Sequence, residues 1–351
     1  MPVISYFEGI SNMKKIQLEG YAITHEGKIR ENNEDNFFLF EKIKEDVNEK
    51  QMSFSKVTDA ENAVAAVYDG MGGETAGEQA SLTAAQYAEP YPMEQIAQKA
   101  REQILSANND VCEKIQECGS RMGTTAVQVY FGDGKACCVN IGDSRCYLFR
   151  EGQLKQLSKD HSEGQQMIDM GIKTEEEARK SMNWHKLTQH IGIFPEEFTI
   201  QPFISEQIDL LDGDIFLLCS DGLTDMVEDT QICYVLKNAG EKGISLKETA
   251  EELLQKALTN GGKDNTTIVL VRVNVKEGSA SDENVNTDKL QEKDNDTKKN
   301  LLSGVLGGIA VLLLIGLLVW YISEKTNLGA KEIEPDVTVS DQQISEVGLG
   351  E

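Results

Sequence analysis

Short apolar segments with the length of β-strands recur along the chain and are separated by turns and amphipathic helices. These segments are residues 36–40, 63–68, 126–130, 136–141, 146–149, 215–219 and 267–273. The turns at residues 132–134 and 151–152 contain glycine and predict hairpins in the middle of the chain. Apolar residues keep a helical spacing from Met93 to Ile115, and a second helix is predicted from Ser245 to Leu258, ending at Gly261. This pattern favours an α+β sandwich with antiparallel strands over a doubly wound parallel sheet.

The composition of the chain limits its domain organisation, the state of its cysteines and the ligands that it can bind. No linker-like stretch interrupts residues 16–275, so we expect one domain there, after an N-terminal extension of residues 1–15. The seven cysteines lack the spacing of a metal site and lie in apolar or helical segments, which predicts reduced thiols in a reducing compartment. The net charge of −25 opposes binding to nucleic acid phosphates. Surplus carboxylates fit divalent cations better, although solubility alone also explains many surface acids.

The C-terminal part of the sequence has the composition of a membrane anchor. Residues 301–322 (LLSGVLGGIAVLLLIGLLVWYI) carry no charge, and roughly 20 such residues cross a bilayer as a helix. A buried soluble helix is the alternative. Lysines before this segment predict that its N-terminal side is cytoplasmic. Residues 276–300 read as a flexible polar linker and residues 323–351 as an acidic tail outside the cytoplasm. The sequence thus predicts a single-pass protein of the cell membrane whose oligomeric state stays open.

Five aspartates lie at the ends of the predicted strands. Asp69, Asp143 and Asp221 come just after apolar strands, whereas Asp35 and Asp264 come just before them. Because the end of one antiparallel strand and the start of its neighbour share a rim, the five carboxylates can meet at one edge. Their repulsion and their hard oxygen ligands predict a site for Mg²⁺ or Mn²⁺ rather than for zinc or copper. Any single Asp-Gly pair is usually only a turn, so the prediction depends on the joint pattern.

Such a rim predicts hydrolysis of a phosphoryl group. Two cations can ionise a bridging water near neutral pH and offset charge on the phosphoryl oxygens, so no side-chain nucleophile is needed. The glycine after Asp69 allows a tight turn that leaves the Gly70 carbonyl free to coordinate. Arg30, just upstream of Asp35, is the candidate for binding the substrate phosphate, with a solvated surface arginine as the alternative.

The order of the motifs resembles a known family. GKIRENNEDNFF, AAVYDGMGGETAGEQAS, RMGTTAV, VNIGDSRCYLF, LSKDHSEGQQMIDMGIKTEEEARK, LLCSDGLTD and GGKDNTTIVLV follow one another over roughly residues 18–275. Together they resemble the metal-dependent protein phosphatases of type 2C, the PPM family, and particularly its bacterial branch. The resemblance implies a four-layer α-β-β-α sandwich, in which helices flank two antiparallel sheets. It also implies hydrolysis of phosphoserine and phosphothreonine in phosphoprotein substrates, with a membrane Ser/Thr kinase as the natural counterpart.

The resemblance further implies two core ions, Mn²⁺ or Mg²⁺, at named positions. Asp69 would bridge the two ions, and the Gly70 carbonyl would bind one of them. Asp221 and Asp264 would complete the other ion's ligands.

Other positions would serve this centre less directly. Asp35, with Glu34 beside it, would act mainly through coordinated water, and Arg30 would bind the phosphate. Asp143 would hold a third, weaker ion together with Asp221.

Two features depart from the family pattern. Met71 stands where eukaryotic relatives carry a histidine that is thought to protonate the leaving alkoxide, and a thioether cannot donate a proton. Coordinated water is therefore expected to act as the acid. The second departure is the segment containing His185 and His190, which are interpreted as packing or surface residues in preference to ligands.

Residues 162–181 resemble the flap beside the active site of bacterial members. Thr174 and Glu177 predict a capping box at the start of the second of two short helices, and Gly171 is expected to end the first. A polar insert of this kind predicts a mobile lid that governs substrate access. His161, just before the flap, is interpreted as a structural hydrogen-bonding residue in preference to a catalytic one.

Two other functions use the same features. One is a catalytically silent, membrane-anchored module that binds phosphoproteins or senses a signal. It is disfavoured because no metal-ligand position is missing. The other is a two-metal nuclease, which conflicts with the acidic composition and with the absence of a basic track in the sequence.

Overall fold

Two antiparallel β-sheets form the centre of the protein in a computed structural model that describes residues 15–72, 76–181 and 183–276. The strands within these ranges are β1 (Lys15–His25), β2 (Asn36–Leu39), β3 (Lys42–Ile43), β4 (Gln51–Asp59), β5 (Ala63–Tyr68), β6 (Gly70–Gly72), β7 (Met122–Thr124), β8 (Ala126–Gly132), β9 (Lys135–Ile141), β10 (Arg145–Arg150), β11 (Gln153–Gln156), β12 (Phe203–Ile204), β13 (Ile208–Asp209), β14 (Ile215–Cys219) and β15 (Thr266–Lys276). The helices are α1 (Gly77–Gln86), α2 (Ile96–Cys118), α3 (Glu163–Asp169), α4 (Glu175–Arg179), α5 (Asp221–Thr224), α6 (Asp229–Lys242) and α7 (Leu246–Thr259), with a 3₁₀ turn at Met93–Gln95.

The strand order brings sequence-distant strands next to each other. The first sheet runs β11-β10-β14-β15-β1-β4. The second runs β12-β9-β8-β5-β2-β3, and β13 also pairs with β9. A separate two-stranded ribbon joins β6 to β7. The pairs β1–β15, β10–β14, β2–β5 and β5–β8 are all antiparallel, which confirms the predicted α+β class with antiparallel sheets.

Three apolar clusters fill the spaces between four layers. In β5, Val64, Ala66 and Tyr68 belong to the cluster under α1 and α2, whereas Ala65 and Val67 belong to the cluster between the sheets. A third cluster joins the other face of the first sheet to α6 and α7. Because successive side chains of a strand point to opposite faces and both faces are covered, β5 is apolar throughout instead of alternating. The layers therefore follow the order helices, sheet, sheet, helices.

The predicted helices and turns are confirmed. The long amphipathic segment forms α2, preceded by a 3₁₀ turn, and the second predicted helix forms α7. Asp133 and Gly134 both have positive φ (50° and 71°), the conformation of a tight hairpin between β8 and β9. Gly261 and Gly262 also have positive φ and follow α7, where a stop was predicted. All seven cysteines are free, as expected, although Cys118 is exposed.

The described ranges do not include the predicted membrane segment. Among the helices within those ranges, none combines the length and the apolar composition needed to cross a bilayer. The predictions for residues 301–322, for the acidic tail after them and for the linker beyond residue 276 lie outside the described residues, as does the N-terminal extension before residue 15.

Candidate metal centre

The five predicted aspartates meet where the two sheets share an edge. Asp35, Asp69 and Asp143 adjoin strands β2, β5 and β9 of the second sheet, and Asp221 and Asp264 adjoin β14 and β15 of the first. The rim is therefore built by both sheets, not by neighbouring strands of one. Burial, followed by the charges of Asp221, Asp35, Asp143 and Asp264, raises the pKa of Asp69 well above its usual range. Each of the other four carboxylates thus lies close enough to Asp69 to repel its charge.

Hydrogen bonds fix the backbone of Asp69 and join it to the neighbourhood of Asp143. The Asp69 amide donates to Thr125 Oγ1 at 3.0 Å, and the Thr125 amide donates to the Asp69 carbonyl at 2.9 Å. Thr125 Oγ1 also lies 2.7 Å from Ser144 Oγ, next to Asp143. Two ends of the second sheet's strands are thereby held in register at the rim.

Asp35 connects the two sheets. Its side chain is buried, and Oδ2 accepts hydrogen bonds from the hydroxyls of Ser220 and Thr267, each at 2.7 Å. Burial, only partly opposed by these two hydroxyls, raises the pKa of Asp35 to about 6. The other oxygen, Oδ1, is buried without a protein partner. One Asp35 oxygen is therefore left unpartnered, while the other oxygen serves the fold.

Glu34 and Gly70 lie where the backbone is crowded. A Cβ atom on Gly70 would approach the carbonyl oxygens of Gly77 and Glu34 to 2.3 and 2.4 Å, so only glycine fits there. Burial and the nearby charge of Glu78 raise the pKa of Glu34 to about 7. Glu78 itself keeps a buried oxygen, Oε2, without a partner. A second pair of carboxylates therefore flanks the rim beside Gly70.

Asp264 is held beside Arg30. Arg30 Nη2 donates to Asp264 Oδ2 at 2.8 Å, and the Asn265 amide donates to Oδ1 at 2.8 Å. The Asn265 side chain in turn accepts from the Glu34 amide at 2.8 Å and donates to the carbonyl of Asn32 at 2.7 Å. Asn265, which the sequence analysis did not single out, thus ties the loop that carries Arg30 to the aspartate rim.

A cleft of about 550 Å³ opens beside Arg30 and Asp264. Its lining includes Arg30, Asp264, Asp225, Arg179, Trp184 and His185. Arg30 is half exposed in this cleft. Arg179 and Trp184 come from the flap and its exit, so the flap forms one wall.

The flap has the two short helices that the sequence predicts. The capping box of Thr174 and Glu177 is present at the start of α4, and Gly171 follows α3 with a φ of 67°. Trp184 packs closely against Gly164 of α3 on the other side of the flap. A Cβ atom at position 164 would approach the indole to 2.3 Å. Arg179 stacks over the same ring at 5.3 Å.

The histidine predictions concern His161, His185 and His190. His190 is partly buried and its Nδ1 lies 2.9 Å from the Ile191 carbonyl, which fits a packing role. His161 accepts a hydrogen bond from the Gly142 amide at 3.2 Å, which fits a structural role. His185, expected to pack or face solvent, is half exposed. It also lies at the rim, where Asp143, Asp221 and His185 each offer one ligand atom within 4.8 Å of the others. The unusual histidine after the flap was the only sequence signal for it.

The donors fit divalent cations. Burial and neighbouring carboxylates, Asp143 first among them, raise the pKa of Asp221 well above its usual range. The pKa of Asp143 rises to about 7, through burial first and then the charge of Asp160. Carboxylate oxygens that repel one another, together with the unpartnered oxygens of Asp35 and Glu78, form the hard, anionic donor set that Mg²⁺ and Mn²⁺ prefer.

These raised pKa values predict an unusual pH dependence for the metal-free protein. An acid with a folded pKa near 7 and an unfolded pKa near 4 binds more protons in the folded state, so stability falls as pH rises between these values. We expect Tm in excess EDTA to fall by at least about 2–4 °C, equivalent to about 1 kcal/mol, from pH 5 to pH 7.5. Asp143→Asn should flatten this slope, and a Tm that rises over the same interval would contradict it.

Comparisons with known proteins follow the same motifs. The family model for protein phosphatase 2C matches residues 20–166 and 176–266. Serine/threonine phosphatase stp of Listeria welshimeri is 30% identical over 263 residues, which cover 72% of this chain and 94% of that protein. Serine/threonine protein phosphatase PstP of Mycobacterium tuberculosis is 33% identical over 218 residues, covering 59% of this chain and 40% of that protein.

Solved structures share the fold. The serine/threonine phosphatase of S. agalactiae has a TM-score of 0.62 at 28% identity and covers 73% of this chain and 99% of its own. The catalytic domain of PstP in complex with two manganese ions has a TM-score of 0.59 at 30% identity and covers 74% and 99%. The resemblance inferred from the motifs is confirmed. Because the family model matches more than half of its length, this chain belongs to the protein phosphatase 2C family.

Proposed function

We propose that this chain hydrolyses phosphoserine and phosphothreonine in proteins at the aspartate rim, while a C-terminal segment tethers it to the cell membrane. As a family member it is a protein serine/threonine phosphatase that depends on Mn²⁺ or Mg²⁺. The observation that carries the role of the rim is the convergence of five carboxylates from two sheets beside Arg30.

Different rim residues would bind different cations. Asp69 would bridge two ions, with the Gly70 carbonyl on one and Asp221 and Asp264 on the other. Asp143 and Asp221 would hold a third. When bound, such cations lower the pKa of water and offset negative charge on phosphoryl oxygens.

The surrounding residues position the substrate and its water. Arg30 would bind the phosphate as a planar, two-pronged donor, and Asp264 and Asn265 hold it at the cleft. Asp35 would orient water through its free oxygen Oδ1, since Oδ2 is occupied by two hydroxyls. Glu34 adds a further carboxylate beside the rim, and burial and Glu78 raise its pKa to about 7 in the metal-free protein.

The direct test is hydrolysis of a phosphoserine or phosphothreonine peptide by the full chain in Mn²⁺. We expect turnover that EDTA abolishes and that Mn²⁺ restores. Tight peptide binding without turnover in saturating Mn²⁺ would favour the silent binding module. The absence of both binding and turnover would overturn the assignment.

Arg30 should matter more for activity than Lys263, another cation in its cleft. Arg30→Ala should lower kcat/KM for a phosphopeptide about 10- to 100-fold, the rate equivalent of losing hydrogen bonds to a charged group. Arg30→Lys should recover only part of this, because an ammonium cannot bind two oxygens in the same plane. Lys263→Ala removes a cation lining the same cleft and should cost less than about fivefold. Equal losses in Arg30→Ala and Lys263→Ala would show a general charge effect instead.

The membrane tether rests on the uncharged residues 301–322 and on the lysines before them. A tether raises the effective concentration of a membrane partner, and a membrane Ser/Thr kinase fits as that partner. Removing residues 277–351 should leave peptide hydrolysis unchanged and slow dephosphorylation of such a kinase in vesicles. Equal slowing on both substrates would refute the tether.

A further inference from the structure

His185 joins two rim aspartates from a third part of the fold. Asp143 follows β9, Asp221 begins α5, and His185 lies in the loop after α4. Their ligand atoms lie within 4.8 Å of one another. A transition metal with bonds of about 2.0–2.2 Å holds two ligand atoms at most about 4.4 Å apart. A closure of a few tenths of an ångström would therefore complete a site around one ion, and the half-exposed imidazole is free to make it.

We propose that His185 is a ligand of the cation shared by Asp143 and Asp221, and that it makes this site prefer Mn²⁺ to Mg²⁺. An imidazole nitrogen suits first-row transition ions, whereas Mg²⁺ favours oxygen donors and water. The two core ions would lack any nitrogen ligand, so this preference would belong to the third site. The inference rests on the proposed function, because Asp221 also serves the core.

Asp225 supports a metal-binding role for His185. Its Oδ2 lies 3.6 Å from His185 Nε2, a small rotation away from a hydrogen bond. Metal-binding histidines usually donate their second ring N–H to a carboxylate, which fixes the ring orientation. Asp225 lines the same cleft and is placed to do this.

The same contact would connect the flap to the rim. Trp184 immediately precedes His185 and packs against Gly164 of α3 and beneath Arg179 of α4. An ion held by His185 would therefore restrain both flap helices through one indole ring. Trp184 is one of two tryptophans in the chain, so its fluorescence in a Trp320→Phe background reports binding at this position.

The test is a Mn²⁺ titration of the full chain in that background. Binding is measured from the electron paramagnetic resonance signal of free Mn²⁺ and from Trp184 fluorescence. His185→Ala should weaken the weakest Mn²⁺ site at least about tenfold and leave the tighter sites unchanged. The same substitution should hardly change the Mg²⁺ titration. His185→Asp should restore binding of the third ion but lose the preference for Mn²⁺, because the new ligand is an oxygen.

Lys186→Ala is the matched control for disturbance of the flap. It removes a neighbouring side chain that pairs with Glu163 but offers no ligand, so Mn²⁺ binding should be unchanged. The inference is overturned if wild-type protein hydrolyses phosphopeptide in Mn²⁺ while His185→Ala binds its weakest Mn²⁺ as tightly as wild type. If wild-type protein neither binds Mn²⁺ nor hydrolyses phosphopeptide, the proposed function fails with it.

Discussion

Asp69→Asn should lower kcat for phosphopeptide hydrolysis by at least about a hundredfold in saturating Mn²⁺, the scale of removing one strong electrostatic contribution. Asp69 is the carboxylate that feels the charge of Asp221, Asp35, Asp143 and Asp264 together, so it lies at the centre of the rim. Asparagine keeps the shape of this side chain but removes its charge, which leaves a bridging position one charge short. The measurement is kcat over a range of Mn²⁺ concentrations. If the substitution only weakened Mn²⁺ binding, activity would return at high Mn²⁺ concentration.

A Tm measurement and a control variant distinguish a loss of catalytic activity from a loss of folding stability. In EDTA, Asp69→Asn should raise Tm, because it removes a buried carboxyl group whose ionisation is opposed by burial and by its neighbours. Met71→Ala, two positions along, should change kcat less than about threefold, since a thioether takes no part in proton transfer. If Asp69→Asn kept more than a tenth of the wild-type kcat, the bridging role would have to be given up.

The two strands that were predicted with the observed bounds, β5 and β14, are buried on both faces. β5 and β14 are continuous apolar runs of six and five residues between polar ends. β4 was missed because it is an edge strand whose residues alternate between exposed and half-buried. β1 was missed because Gly20 interrupts it, at a point where a Cβ would approach Leu39 to 2.7 Å. Local sequence therefore identifies continuous apolar strands better than strands with alternating burial or an internal glycine.

The site was predictable as a set of residue types but not as an arrangement. Position at a strand end marked all five aspartates without knowledge of which strands pair. The hydroxyl partners of Asp35, Ser220 and Thr267, were missed because they lie 185 and 232 residues away and on the other sheet. The proximity of His185 to Asp143 and Asp221 was missed for the same reason, since only the fold brings these residues together. Long-range pairing between sheets supplies what the local pattern cannot.

The second large effect concerns the buried ion pair between Arg145 and Asp160, which lies between the rim and the flap and contributes to the stability of the fold. Arg145 and Asp160 are both buried, and Arg145 Nη2 donates to Asp160 Oδ2 at 2.7 Å while Nε donates to the same carboxylate at 2.9 Å. Asp160 lies just before the flap, and its charge already raises the pKa of Asp143. Arg145→Met should lower the free energy of unfolding by about 3–5 kcal/mol, because it leaves a buried carboxylate without its cation. Urea unfolding of the full chain in Mn²⁺ measures this.

A double substitution tests whether the pair itself stabilises the fold. Arg145→Met with Asp160→Leu replaces both charges by apolar groups. The remaining acidic partner of Arg145, Asp229, is half exposed, so no buried carboxylate is left unpaired and most of the lost stability should return. Gln156 Nε2, which donates to Asp160 Oδ1 at 2.8 Å, would lose this acceptor but can turn to solvent, because it is only half-buried. If the double variant were as unstable as Arg145→Met alone, the cost would come from lost packing of the arginine side chain. The unpaired charge beside Asp143 would then not be the cause.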